Sequence, residues 1–169
     1  AYMPTKQILD LCRSKGVSIT HYLTACNGWA IFTEAMRGRP SKTPVNILIP
    51  INLRGISATT TTLNFFSSIY DSLLFDTPDI NFDDILAEVK TQFEQKATRE
   101  AMQEKISYTV GSGYSPFIRA VPLPLKTLAL RAIYEHSVKS STASYSNMGR
   151  IEVPEPFAPY ITAAALMLS

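Results

Sequence analysis

Val45-Asn46-Ile47-Leu48-Ile49-Pro50-Ile51-Asn52-Leu53 is the stretch on which the reading of the fold turns. It is short, rich in branched aliphatic residues and flanked by proline at Pro44, so it reads as a β-strand rather than a helix. Pro50 has no N–H to give to a ladder and predicts a strand end, a bulge or an edge near that point. Before this strand, Thr5 opens a short helical pattern that stops at Gly16, and Ser18 opens a longer one. In the longer pattern Ile19, Tyr22, Leu23, Cys26, Trp29, Ala30 and Thr33 recur at three- and four-residue steps. Ala25, Ile31, Phe32 and Met36 fill much of the remaining circumference, as expected of a central, mostly buried helix.

After the strand, the threonine-rich loop Ala58 to Thr62 leads to Leu63–Tyr70, which reads as a second strand. Asn81 is a helix N-cap, with Asp83 and Asp84 placed where the helix dipole favours negative charge. Phe82, Ile85, Leu86, Val89, Phe93 and Ala97 form the apolar stripe of that helix, opposite Glu88, Lys90, Glu94 and Lys96. Gly111 to Gly113 is expected to break the next helical pattern. Pro116, Pro122 and Pro124 lead into a further helix on which Leu125, Leu128, Ala129, Ala132, Ile133 and His136 share a side. Ser140 to Ser146 reads as a strand running into a turn, Pro154, Pro156 and Pro159 space out a loop, and Tyr160 to Ser169 has strand-like edges. No repeat or low-complexity linker interrupts this order. The expectation is one domain over residues 1–169, of α/β class: an α+β two-layer sandwich with a mixed, largely open sheet backed by helices.

The 169 residues are 46% hydrophobic and 18% charged, enough apolar material for one well-packed domain. A formal charge of +2 is far from the basic stripe that nucleic acid requires, so no nucleic-acid partner is expected. The longest apolar run, Ile161 to Leu168, is too short to span a bilayer, and the N-terminus lacks the pattern of a leader. A cytoplasmic protein without a membrane span is the expectation. Cys12 and Cys26 have no partners at metal-ligand spacing. They read as two buried reduced thiols, with a disulfide between neighbouring helices as the alternative in an oxidising compartment.

The usual short catalytic motifs are absent: no G-x-S-x-G elbow, no phosphate-binding glycine loop, no dinucleotide fingerprint and no H-E-x-x-H. Two histidines remain. His21 sits in the first turn of the long helix, where an exposed or capping role competes with a catalytic one. His136 lies on an apolar helix side, where a structural role competes with that of a base.

The order of segments is itself a signal. Lys15-Gly16-Val17-Ser18-Ile19-Thr20 leads into the long helix, and the strand ends in Pro50-Ile51-Asn52-Leu53-Arg54. Asn64-Phe65-Phe66, the helix opening Phe82-Asp83-Asp84-Ile85-Leu86, and Ser144-Tyr145-Ser146-Asn147-Met148-Gly149-Arg150-Ile151 then follow. This succession, covering nearly the whole chain, resembles the second, C-terminal lobe of the chloramphenicol acetyltransferase-like superfamily. Within it the likeness is nearest to bacterial alcohol acetyltransferase-like proteins and to the condensation domains of peptide synthetases.

The resemblance implies a lobe truncated at both ends, whose partner is a missing N-terminal lobe carrying the catalytic histidine of an H-H-x-x-x-D-G motif. Neither His21 nor His136 matches that motif, so no catalytic residue is assigned in this chain and the fragment alone is expected to be inactive. The co-substrate would be an acyl-CoA or an acyl-carrier thioester, with no permanently bound cofactor and no metal, and the acceptor a small-molecule alcohol or amine.

Ser144, Ser146 and Asn147 are the candidates for donors to the thioester oxygen or the tunnel. Their alternative is plain strand and turn hydrogen bonding. Arg54 is the candidate to hold the acidic residue of the missing motif across the lobe junction, or else a solvated arginine in a turn. Asn64, a second junction candidate, could equally serve only backbone groups. A non-catalytic binding or dimerisation module on the same fold is the rival reading, with self-association through exposed strand edges expected on either one.

Overall fold

A computed structural model describes residues 4–55, 66–114, 116–147 and 153–161, without the side chains at 55, 109, 110, 112–114, 117, 118 and 136–139. Helix α1 is Thr5–Ser14 and α2 is Ile19–Ala30. Gly16 adopts φ +64°, its N–H donates to Arg13 O and that of Val17 to Cys12 O, so the glycine stop is a Schellman ending. Ser18 caps α2 as expected: its hydroxyl accepts from His21 N, while Ser18 N donates to His21 Nδ1. Beyond Ala30 the helix widens into a π turn over Ile31–Ala35, where Met36 N reaches back to Ile31 O.

Strand β1 is Val45–Asn52 and β2 is Phe66–Leu73. They pair antiparallel, Val45 opposite Leu73 and Asn52 opposite Phe66. A short β3, Ala143–Ser144, adds parallel to the other side of β1, beside Ile47 and Leu48, giving the order β2-β1-β3. The mixed, open sheet backed by helices is therefore the fold class of the chain.

Pro50 does not end β1, which runs two residues further. Asn46 and Leu48 turn their carbonyls toward the β3 side, accepting from Thr142 N and Tyr145 N, and Pro50 follows in the same alternation. Its missing N–H thus falls on the side where β3 has already stopped at Ser144, and no ladder bond is lost.

Val45, Ile47 and Ile49 of β1 and Ile69 and Leu73 of β2 face one way, into a core closed by Ala25 and Phe32 from the long helix. Helix α3, Phe82–Lys96, completes it with Ile85, Leu86 and Val89. Its Asn81 cap, made to Asp84 N, is the one the sequence announces. Gly28 lets α2 lie close on the sheet: a Cβ there would come within 2.4 Å of Leu73 Cδ1. Lys15 pairs with Asp83 at 2.7 Å and Lys90 Nζ donates to Gly16 O, pinning the α1–α2 turn to α3.

Helix α4, Arg99–Tyr114, continues through Gly111, so the expected glycine break does not occur; glycine lowers helix propensity without forbidding the conformation. Helices α5, Pro116–Ala120, and α6, Leu123–Ser140, follow the prolines, and Glu155–Tyr160 forms a 3₁₀ segment where a loop is expected. The apolar side read on α6 is not part of the core. Leu125, Leu128 and Ile133 are exposed, as are Leu123, Leu130 and Tyr134 on other sides of the helix. With apolar residues all round, periodicity selects no buried face. Asn46 ties the end of α6 to β1, its Nδ2 donating to Ser140 O at 2.8 Å.

Candidate functional site

Among the sequence candidates, Ser144, Ser146 and Asn147 are all exposed, Ser144 at the end of β3 and the other two in the segment that follows it. Ser144 ends β3 beside Leu48, and Tyr145 between them packs toward the core. The chain then reaches the N-terminus of α2, where Asn147 Nδ2 donates to Thr20 Oγ1 at 3.2 Å across 127 residues of sequence. Asn147 is therefore held by a tertiary contact, and Ser146 lies in the short loop that this contact closes.

Arg54 is exposed in the 3₁₀ turn Leu53–Gly55, six residues further along the chain than Leu48, and its backbone N–H is fixed by Asn52 Oδ1 at 3.0 Å. Asn64 lies outside the described residues, as does the turn beyond Asn147.

His21 is a structural residue of the α2 N-terminus. Its Nδ1 accepts the Ser18 N–H, its ring meets Phe93 edge-on at 4.7 Å, and burial lowers its pKa below the ordinary 6.5. The neutral ring is the form the cap needs. Its stabilising contribution is fully present above pH 6.5 and is lost as the pH falls through the depressed value. His21→Ala is expected to cost about 2 kcal/mol at pH 7.5 through the lost ring packing and capping contact. Urea denaturation at pH 7.5 and pH 5 checks this: the cost should shrink at pH 5, and an equal cost at both would contradict the assignment. His136 falls within α6, with its side chain outside the description.

Cys12 is buried and Cys26 half-buried, so only one of the two matches the expected full burial. Both are free thiols with pKa raised by burial, and Tyr22 shares a hydrogen bond with Cys26. A raised pKa keeps a thiol protonated and unreactive at neutral pH. Among the described residues no cluster of three or more His, Cys, Asp or Glu could hold a metal ion. Among the same residues no helix is long and apolar enough to cross a membrane.

One group that the sequence reading passed over is Asp71. It lies on the core face of β2 between Ile69 and Leu73, is 0% exposed, and neither carboxyl oxygen has a hydrogen-bond donor among the described residues. Burial raises its pKa to about 6, against the pull of Lys96, whose Nζ stands 4.0 Å from Oδ1. The signal was the period-two alternation Ile69, Asp71, Leu73, visible only once the strand is extended past Tyr70.

No protein family, curated protein or solved structure compared with the chain matches it.

Proposed function

We propose that the chain is the second lobe of a two-lobed, thioester-dependent acyltransferase. The reaction moves an acyl group from a CoA or carrier-protein thioester to a hydroxyl or amine, and the histidine base comes from the other lobe. The observation that carries this reading is the exposed run Ser144, Ser146, Asn147 at the sheet margin, tied to the start of α2 by the Asn147–Thr20 hydrogen bond. Hydroxyl and amide groups exposed at the surface, one of them held by a tertiary contact, suit the developing charge on a thioester oxygen. Arg54 stands exposed at the end of β1, where this reading puts the arginine that faces an acidic residue of the other lobe.

The apolar surface of α6 favours the second reading, a binding or dimerisation module, since it calls for cover whether or not chemistry takes place beneath it. The test is acyl transfer by the complete protein containing this chain, followed as free thiol released from acyl-CoA. Asn147→Ala and Ser146→Ala should each lower kcat by about 10- to 100-fold while the chain alone releases no thiol above background. Full activity in both variants would remove the donor assignment. A complete reading frame without H-H-x-x-x-D-G would transfer support to the binding module.

A further inference from the structure

The outer edge of β2 is closed by side chains rather than by another strand. Gln92 Oε1 accepts from Ser72 N at 3.0 Å while its Nε2 donates to Ser72 O at 2.8 Å. Lys96 Nζ donates to Tyr70 O at 2.5 Å and to Gln92 Oε1 at 2.5 Å, and Lys105 Nζ donates to Ser68 O. Every second residue of the strand edge is thus held by α3 or α4, which also stands in the way of strand-to-strand association at this edge.

One residue inward, Asp71 presents a fully buried carboxyl with no donor on either oxygen among the described residues. An ionised carboxylate has room for about four hydrogen bonds, and leaving it buried with none carries a severe desolvation cost. The nearest cation among the described residues is Lys96, which is 38% exposed, donates to Tyr70 O and Gln92 Oε1, and at 4.0 Å is too far for a hydrogen bond to Asp71. Closing that gap would shift Lys96 Nζ from its present position on Tyr70 O and Gln92.

We propose that Asp71 is a proton-operated latch on the β2–α3 seam. With the carboxyl protonated, Lys96 stays on Tyr70 O and Gln92 and the strand edge is closed. With the carboxyl ionised, Lys96 is drawn toward it, and the clamp on Tyr70 and Ser72 loosens.

From α3, Lys96 favours the ionised form and Glu88 opposes it, and burial outweighs the lysine. From α4, Lys105 is on Ser68 O. From α2, which packs on the same face of the sheet, the buried His21 carries a lowered pKa and Thr24 Oγ1 has no hydrogen-bond partner among the described residues. From β1, the residue opposite is Ile47.

The carboxyl pKa is raised from 3.8 to about 6. For a raised acid the associated stability is fully present below the unfolded value and is lost as the pH rises through the folded one. The seam is therefore closed in mild acid and loosened as the pH rises through about 6. His21, with a lowered pKa, acts in the opposite sense, so Asp71 must be isolated by substitution.

The decisive experiment compares the 169-residue chain with its Asp71→Asn variant between pH 4 and pH 8, by urea denaturation and amide exchange. In the wild type this group should raise the unfolding equilibrium constant on the order of 100-fold across that range, and Asp71→Asn should remove that component. The Ser72 amide, held by Gln92, should lose protection by roughly tenfold between pH 5 and pH 8 beyond its intrinsic rate. An unchanged pH dependence in Asp71→Asn, or a Ser72 amide equally protected at both pH values, overturns the latch. Should the variant not fold, the carboxyl carbon resonance of Asp71 in the wild type decides: a midpoint near 6 supports the latch and one near 3.8 removes it.

Discussion

Replacing Phe75 with alanine is expected to cost the fold about 4 kcal/mol. Phe75 follows β2 in a segment without regular structure, yet its side chain is 0% exposed and its ring stacks on Phe32 at 4.8 Å, with the planes 8° apart. Truncation removes the burial of a whole aromatic ring, leaves a cavity between the loop and the end of α2, and deletes the ring pair. The Ser41 N–H to Phe75 carbonyl bond, made by the backbone at 2.6 Å, survives the change, so the loss belongs to the side chain. For a chain of this length the cost corresponds to a Tm lowered by roughly 10 °C. Urea denaturation should show a lower midpoint with an unchanged slope. Phe75→Leu, which refills most of the volume, should recover more than half of the loss. A Phe75→Ala midpoint within error of the wild type would show that this ring does not close the core.

Gly28→Val is expected to destabilise by about 3 kcal/mol, through crowding rather than through a cavity. The position is helical, where alanine ordinarily gains about 1 kcal/mol over glycine and valine less. Here that gain is overwhelmed. A Cβ alone would stand 2.4 Å from Leu73 Cδ1, with Ile47 Cδ1 and Ile85 Cγ2 at 3.7 and 3.8 Å, and valine adds two more methyl groups in the same space. Leu73 is itself buried beneath the helix, so it cannot step aside into solvent. Gly28→Ala, with one methyl, should cost about 1 kcal/mol, the crowding partly offset by helix propensity. The mechanism is read from a cycle: in a Leu73→Ala background the penalty of Gly28→Ala should vanish or reverse, a coupling of roughly 1 kcal/mol or more. Equal penalties in both backgrounds would place the strain elsewhere.

Both residues mark where a linear reading stops. Gly28 stands in the middle of a well-formed apolar helix pattern, where glycine is only a mild local misfit, and its use becomes plain when Leu73 is set against it. Phe75 belongs to no periodic segment, so no repeat could have assigned it to the core. The candidate site divides in the same way. Ser144, Ser146 and Asn147 were picked out as hydrogen-bonding residues in a short segment; Ser144 lies beside Leu48 of β1, and Asn147 reaches α2. Thr20, the residue that anchors Asn147, lies too far away in sequence to be paired with it by spacing. Asp71 lay beyond the strand as read, which stopped at Tyr70; β2 runs on to Leu73 and sets it on the buried face between Ile69 and Leu73.

What the sequence determined unaided is local. The Ser18 and Asn81 caps, the Gly16 stop, the long helix before β1, and the strand character of Val45–Asn52 all rest on contacts within a few residues or on the side-chain period of the element itself. Tertiary structure alone decided the passage of β1 through Pro50, the continuation of α4 past Gly111, the exposure of the apolar residues on α6, and the isolation of the Asp71 carboxyl. The reason is common to all four. Whether a missing N–H, an apolar side chain or a carboxylate is costly depends on what faces it across the fold, and the facing groups are brought there by elements that neighbouring residues do not specify.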